Sequence, residues 1–450
     1  MNEYKAYTFK HLPSVPQIAN LNTAEKEAMQ IVAQVFPFKT NNYVIENLID
    51  WSNIPEDPIY TLNFPRKEML RANHFSMIEK ALRSRVSKEE MNRLTSMIRM
   101  ELNPDTGGQS YNIPLIDGME LSGVQHKYRE TVLFFPSQGQ TCHAYCSFCF
   151  RWPQFSGIAE MKFAARETDL LKRYLLTHKE VTDILFTGGD PLIMKTQKLQ
   201  SYIEPLLSND LPHIQTIRIG TKALSYWPYR FTTDHDSDDL MRLFEKISES
   251  GRNLSIMAHI NHPVELSTKA VEEAITRIRS TGAQIRTQSP VLNHINNSPA
   301  VWAEMWRRQV NLNMVPYYMF VARDTGARHF FAVPLAEAWR IFRNAYQKVS
   351  GICRTVRGPS MSSTPGKIQI LGVSEISGEK IFVLRFIQGR DPNWAARPFF
   401  AKFDENALWL SDLKPAFDED KFFFEEELNS IFREKSSTYD IVNFEESVFS

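Results

Sequence analysis

Between residues 131 and 350 two kinds of hydrophobic pattern alternate along the chain. The runs TVLFFP (131–136), VTDILFT (181–187), IQTIRIG (214–220), NLSIMAH (253–259), AQIRTQS (283–289) and NMVPYYMFV (313–321) are short and rich in β-formers. Longer stretches with apolar residues at helical spacing fall between and after them, near 163–178, 195–207, 236–250, 266–281, 298–311 and 334–349. Six strand-then-helix units predict parallel strands joined by right-handed crossovers. The expected fold class is therefore α/β, as an open or partial (βα)6 barrel in preference to a doubly wound sheet.

The flanks read differently. TAEKEAMQIVAQVF (23–36) and SKEEMNRLTSMIRMEL (87–102) have helical periodicity, and Pro55, Pro58 and Pro65 interrupt the stretch between them. Residues 103–125 read as a linker with strand-like pieces. Beyond 350, GPSMSSTPGK (358–367) leads into the β-like runs KIQILGV (367–373) and KIFVLRFI (380–387). The tail DEDKFFFEEELNSIF (418–432) predicts a packed helix with one solvated acidic face. The expected organisation is a helical extension over 1–110, an α/β core over 111–350 and a C-terminal extension over 351–450.

Composition narrows the function. Lys and Arg total 52, as do Asp and Glu, so no charge excess argues for nucleic acid or an anionic membrane as the main partner. The N-terminus lacks the apolar core of a signal peptide, and no apolar run approaches the roughly 20 residues that span a bilayer. These features predict a cytoplasmic enzyme, and they leave open whether it forms a homo-oligomer.

Three of the four cysteines lie within eight residues, in TCHAYCSFCFRWPQF (141–155) directly after the first predicted strand. Such clustering points to metal rather than to disulfides. Structural zinc calls for four ligands, but the remaining cysteine, Cys353, is some 200 residues away. His143 is a candidate fourth ligand, and Cys353 reads as a buried thiol. Three thiolates on a [4Fe–4S] cluster leave one iron open to a small molecule. The C-x3-C-x2-C spacing of Cys142, Cys146 and Cys149 resembles the signature of the radical S-adenosylmethionine (SAM) superfamily. That resemblance implies a [4Fe–4S] cluster, bound SAM, a 5′-deoxyadenosyl radical and an external electron donor.

In a parallel (βα) array the ligand site lies at the C-terminal ends of the strands. All six predicted ends are polar: the cysteine loop, Thr187-Gly188-Gly189-Asp190, Gly220-Thr221-Lys222, His259-Ile260-Asn261-His262-Pro263, Gln288-Ser289 and Arg323-Asp324. Gly188-Gly189-Asp190 resembles the superfamily element that holds the SAM amino group through backbone and carboxylate. His259, Asn261 and Gln288 join the candidate cofactor-binding set.

Longer segments extend the likeness. HKYRETVLF (126–134), LFTGGDPL (185–192), IRIGTKALSYWPYRFT (217–232), HINHP (259–263), TQSPVLNHIN (287–296), PYYMF (316–320) and PGK (365–367) resemble the lysine 2,3-aminomutase family over roughly residues 50 to 400. That resemblance implies pyridoxal phosphate (PLP) as a further cofactor and migration of an amino group from Cα to Cβ of an amino acid substrate. It places the PLP lysine at Lys367, PLP contacts at Lys127 and Tyr128, and an arginine for the substrate carboxylate at Arg151. A phosphate-binding arginine of the family falls on Thr131, for which Arg129 is a candidate replacement. Lysine-specific members hold the substrate ammonium with two aspartates. One falls on Ser360, and the other on Arg323 or Asp324, of which Asp324 suits a cation and Arg323 an anion. A lone ammonium facing a serine is poorly compensated, so the expected substrate is an amino acid other than lysine. The family's C-terminal zinc cysteines are absent. Two other readings remain enzymatic: a different PLP-radical outcome, or action on a lysine side chain of a partner protein. A non-catalytic cluster protein would leave Lys367, Arg151 and Gly188–Asp190 unexplained.

Overall fold

The six predicted strands all form, side by side and in chain order. The computed structural model describes residues 3–103, 111–155, 164–165 and 168–434. Its main sheet has eleven strands. We number them β1 (Val124–Tyr128), β2 (Thr131–Phe134), β3 (Asp183–Phe186), β4 (Thr216–Thr221), β5 (Asn253–His259), β6 (Gln284–Val291), β7 (Val315–Val321), β8 (Arg357–Ser362), β9 (Gly366–Ile376), β10 (Glu379–Gly389) and β11 (Pro398–Lys402). Neighbours from β2 to β8 pair in parallel, while β1 and β9–β11 are antiparallel to their neighbours. Because the strand order never reverses, every right-handed crossover runs the same way and the helices collect on one face. A doubly wound sheet would reverse its order at a switch point.

The alternation along the strands sets the two faces. In β4, Ile217, Ile219 and Thr221 are buried while Thr216, Arg218 and Gly220 are half-buried. Ile217 and Ile219 join Val132, Phe134, Ile184, Phe186, Leu254 and Ile256 in the core beneath the helices. The other face lines a cavity.

Crossover helices run over Asp169–Thr177, Thr196–Ile203, Ser237–Glu249, Lys269–Ser280, Pro299–Asn311 and Leu335–Gln347. The first starts later than its periodicity predicts. Ala165 is extended instead, bridging Pro136, with its N–H bonded to the Phe135 carbonyl at 2.8 Å. Parts of the predicted linker 103–125 and of the stretch 163–178 lie outside the described residues.

The sheet continues past residue 350. The first half of GPSMSSTPGK becomes the end of β8, paired with β7 through Tyr318–Arg357 and Phe320–Ser360. The strand carrying Lys367 is thus hydrogen-bonded into the sheet that carries the cysteine loop. Phe422 and Phe424 pack under β9–β11, and the helix over 425–434 adds Leu428 and Ile431 to that cluster, with Glu426 and Glu427 exposed. Cys353 is buried as expected, in the main core.

The N-terminal residues build their own apolar cluster, which closes over the cysteine loop. Helix Thr23–Val35 starts with a reciprocal cap between Asn22 and Glu25, with both bonds at 2.9 Å, and buries Met29, Ile31, Val32 and Val35. Strand Lys39–Asn41 pairs with Ala6–Thr8. Ala144 and Trp152 of the cysteine segment are buried in the same cluster. Among the described residues, no helix is long and apolar enough to cross a membrane.

Candidate active site

A cavity of about 380 Å³ opens at the C-terminal ends of the parallel strands. Cys142, Cys146 and Cys149 line one end of it, and Lys367 lines another part of the same wall.

The cysteine loop has no regular structure, so its backbone needs other partners. Most come from the N-terminal residues. Lys39 Nζ donates to the Cys142 carbonyl at 2.7 Å, Tyr4 Oη to the His143 carbonyl at 2.7 Å, and Asn41 Nδ2 to the same carbonyl at 3.3 Å. The Tyr145 N–H donates to the Lys39 carbonyl at 2.7 Å, and the Ser147 N–H to the Leu62 carbonyl at 2.8 Å. Ser147 Oγ donates to the Thr61 carbonyl at 2.6 Å. Burial raises all three thiols, that of Cys146 to about 12.

Gly188 and Gly189 let this loop lie directly on the end of β3. Gly188 has φ +142, and a Cβ there would stand 2.4 Å from Gln140 Nε2. At Gly189 a Cβ would stand 2.4 Å from the Thr141 backbone oxygen. A side chain at Gly189 would push the cysteine loop back from β3. The Asp190 carboxylate accepts from Thr221 Oγ1 and the Lys222 N–H at 2.8 Å and from the Leu192 N–H at 3.0 Å. It lines the cavity, but its oxygens already tie β3 to β4.

At the other end, Lys367 Nζ lies 3.3 Å from Gln388 Oε1 and 4.4 Å from the Tyr318 ring centroid, with Tyr128 and Phe320 close by. Burial, then the Arg218 and Arg357 guanidinium groups, push its ammonium down to about 7. Near pH 7 a large share of this amine is therefore neutral and nucleophilic. Arg218 lies on the cavity wall, held by Asp183 through bonds of 2.8 and 2.7 Å. Lys127 donates to the Ser363 carbonyl.

Arg151 and Arg323 flank Phe150, at 5.1 and 5.4 Å from its centroid. Burial lowers Arg151 to about 10, and its Nη1 is buried without a partner. Among the described lining residues, seven are Lys or Arg, against one acid, Asp190. Glu265 pairs with Lys222, Asp183 with Arg218 and Asp412 with Arg328. Among the described residues, Arg151 and Arg323 have no ion-paired acid and Lys367 has nearby only Asp183, which Arg218 already pairs, so the cavity favours anionic groups.

No family model matches the chain. A protein of Aquifex aeolicus provisionally named L-lysine 2,3-aminomutase is 30% identical over 404 residues, which is 90% of this chain and 94% of that one. The chain belongs to the lysine 2,3-aminomutase family. A second such Aquifex aeolicus protein is 25% identical over 80% of this chain and 85% of its own. The L-lysine 2,3-aminomutase of Bacillus subtilis is 25% identical over 77% of this chain and 63% of its own. A radical SAM methyltransferase structure from Sphaerobacter thermophilus overlaps 52% of this chain and 66% of its own at 15% identity and a TM-score of 0.36, and nothing rests on that likeness.

Most residues singled out in the sequence meet in one place. Lys127, Tyr128, Cys142, Cys146, Cys149, Arg151, Thr187, Gly188, Gly189, Asp190, His259, Gln288 and Lys367 all line the cavity. Four candidates do not. Asn261 is wholly buried behind the wall, accepting from Lys222 Nζ at 2.9 Å and donating to Ser289 Oγ at 2.8 Å, so it supports the strand ends. Asp324 is outside the lining and its neighbour Arg323 inside. Arg129 is exposed and outside the lining. His143 is buried against Tyr4, off the cavity wall. Residues that the sequence reading passed over include Arg218, Tyr318, Gln388 and the N-terminal clamp. Arg218 lies two residues before Gly220, so strand periodicity alone puts both on one face.

The residues fit the family's cofactors. Among the described residues, no three His, Cys, Asp or Glu side chains converge as ligands of one metal ion do. Three thiols on one cavity wall suit an iron–sulfur cluster. His259 Nε2 is buried on the cavity wall without a partner, an orphan that a bound ligand can satisfy. The half-neutral amine, aromatic rings and uncompensated cations suit PLP with its phosphate.

Proposed function

We propose that this protein is a radical SAM, PLP-dependent amino-acid 2,3-aminomutase whose substrate carries an anionic side chain. The observation that carries the reading is that three cluster thiols, a buried lysine near neutrality and two uncompensated arginines share one cavity. When bound, the cluster with SAM supplies a carbon radical, and PLP supplies an electrophilic carbonyl that holds the migrating nitrogen.

The chain's own residues supply the rest. The Lys367 amine gives up its proton at a pH near 7, so it would hold PLP when that cofactor is bound. Gln388 Oε1 orients that amine, and Tyr128, Tyr318 and Phe320 keep water from it. The guanidinium of Arg151 forks onto the α-carboxylate. Arg323 stands across Phe150 as the partner for a second carboxylate. A lysine substrate would instead put its ammonium beside two guanidinium groups, at a repulsive cost. The Gly188-Gly189 turn and the clamped cysteine loop hold the thiols at a fixed height over the strand ends.

The test is an anaerobic assay. Reconstituted protein with SAM, PLP and a reductant is given glutamate, aspartate, lysine and neutral amino acids, and products are resolved by mass. A β-amino isomer of a dicarboxylic amino acid, without net loss of SAM, is the expected result. Isomerisation of lysine alone would overturn the anionic assignment. Formation of 5′-deoxyadenosine without any isomer would overturn the aminomutase outcome while leaving the radical machinery standing.

A further inference from the structure

One buried contact ties the N-terminal extension to a cluster ligand. Asn63 ends the helix Pro58–Asn63 and is 3% exposed. Its Nδ2 donates to the Ile59 carbonyl at 3.0 Å and to Tyr226 Oη at 3.2 Å. Tyr226 is 1% exposed, at the end of the short helix Ala223–Tyr226 after β4, and its Oη lies 3.8 Å from Cys146 Sγ. The ring is fixed by Lys222 Nζ, 4.3 Å from its centroid, which Glu265 and Asn261 hold. The Tyr226 carbonyl is pinned in turn by Asn41 Nδ2 at 2.9 Å.

The hydrogen inventory fixes the direction of this contact. A phenol oxygen has one hydrogen and two lone pairs. Asn63 fills one lone pair, so the hydroxyl hydrogen needs another acceptor, and buried donors are rarely left without one. As a free thiol, Cys146 can donate to Oη. As a cluster ligand its sulfur carries no hydrogen and can only accept, and the hydroxyl then turns its hydrogen onto the sulfur. Hydrogen bonds to ligand sulfurs withdraw negative charge and so stabilise the reduced cluster.

We propose that Tyr226, aimed by Asn63, donates a hydrogen bond to the sulfur of Cys146 in the cluster-loaded protein and raises the reduction potential of that cluster. Tyr226 is a positioning and tuning residue in this account, not a catalytic one. The inference rests on the cluster reading above.

The test uses full-length protein reconstituted anaerobically, with iron and sulfide content measured first. The midpoint is read by EPR-monitored reductive titration, and exchangeable protons near the cluster by ENDOR in light and heavy water. Tyr226→Phe should keep its iron, lose one exchangeable proton coupling, and require a potential lower by a tenfold change in the reduction equilibrium, which is 59 mV for one electron. Asn63→Leu keeps the hydroxyl but frees its orientation, and should move the midpoint the same way by less. Full iron with an unchanged midpoint and unchanged proton couplings in Tyr226→Phe overturns the proposal alone. If that variant fails to hold iron, Asn63→Leu decides: a lowered midpoint supports the proposal and an unmoved one overturns it. If the native chain binds no [4Fe–4S] cluster, the cluster reading falls and this inference falls with it.

Discussion

The two ends of the cavity are built in different ways. At the thiol end the functional atoms come from one short loop, and backbone bonds from a distant part of the chain, residues 4 to 62, hold it. At the lysine end the functional atoms come from separate strands, Tyr128 from β1, Arg218 from β4, Tyr318 from β7, Lys367 from β9 and Gln388 from β10, and the sheet itself holds them. A cluster needs several ligands within a few residues and tolerates a loop, provided that something stiffens it. A lysine that must be half neutral needs enclosure and nearby cations, which here the sheet wall provides.

This contrast can be broken in stages. Replacing one thiol, as in Cys146→Ser, should abolish iron incorporation and all turnover while leaving PLP absorbance at the other end, as visible spectra would show. Lys367→Ala should do the reverse, losing the PLP band and lowering activity by on the order of 10³-fold or more while iron content holds. A PLP band that survived this change unaltered would remove Lys367 from its assigned role. Arg323→Ala should raise KM for a dicarboxylic substrate about 10- to 100-fold, the scale of a charged hydrogen bond, with both cofactors retained. PLP attachment should follow pH with the sign of amine deprotonation. With an ammonium near 7, the attachment rate should fall about tenfold per unit below that value and level off above it, followed by stopped-flow absorbance. A profile still rising toward pH 10 would mean an ordinary lysine. Lys39→Met should be mildest. It leaves the Cys142 carbonyl short of a donor, weakens the loop by about 1–3 kcal/mol, and should show as faster iron loss to a chelator with PLP binding unchanged.

The same contrast explains what could be read from the chain alone. The thiol end was legible because its ligands are contiguous and follow a strand, and the β2–β7 units because their alternation is strong. The β8 strand was not: Gly358, Pro359 and the serines around it carry no alternating pattern, and its pairing with β7 supplies the extended conformation. Arg218 looks like an ordinary strand residue until its neighbours show which face it takes. Asn261 sits at a strand end like the residues that face the cavity, but its amide is used up by Lys222 and Ser289. The choice between Arg323 and Asp324 turned on a one-residue gap, and adjacent residues point to different sides. The clamp of Lys39, Asn41 and Asn63 left no local signal, because its partners lie 102 to 185 residues away.

The unbroken ladder from β2 to β9 also makes the sheet a ruler. The place where a radical would be generated and the amine that would hold its target are marks on one elastic body, spaced by main-chain hydrogen bonds. Removing any one strand from the ladder would shift one mark against the other, by up to about one strand spacing of 4.8 Å. Strand number between the two ends is thus a dimension of the chemistry, as much as any side chain on the wall.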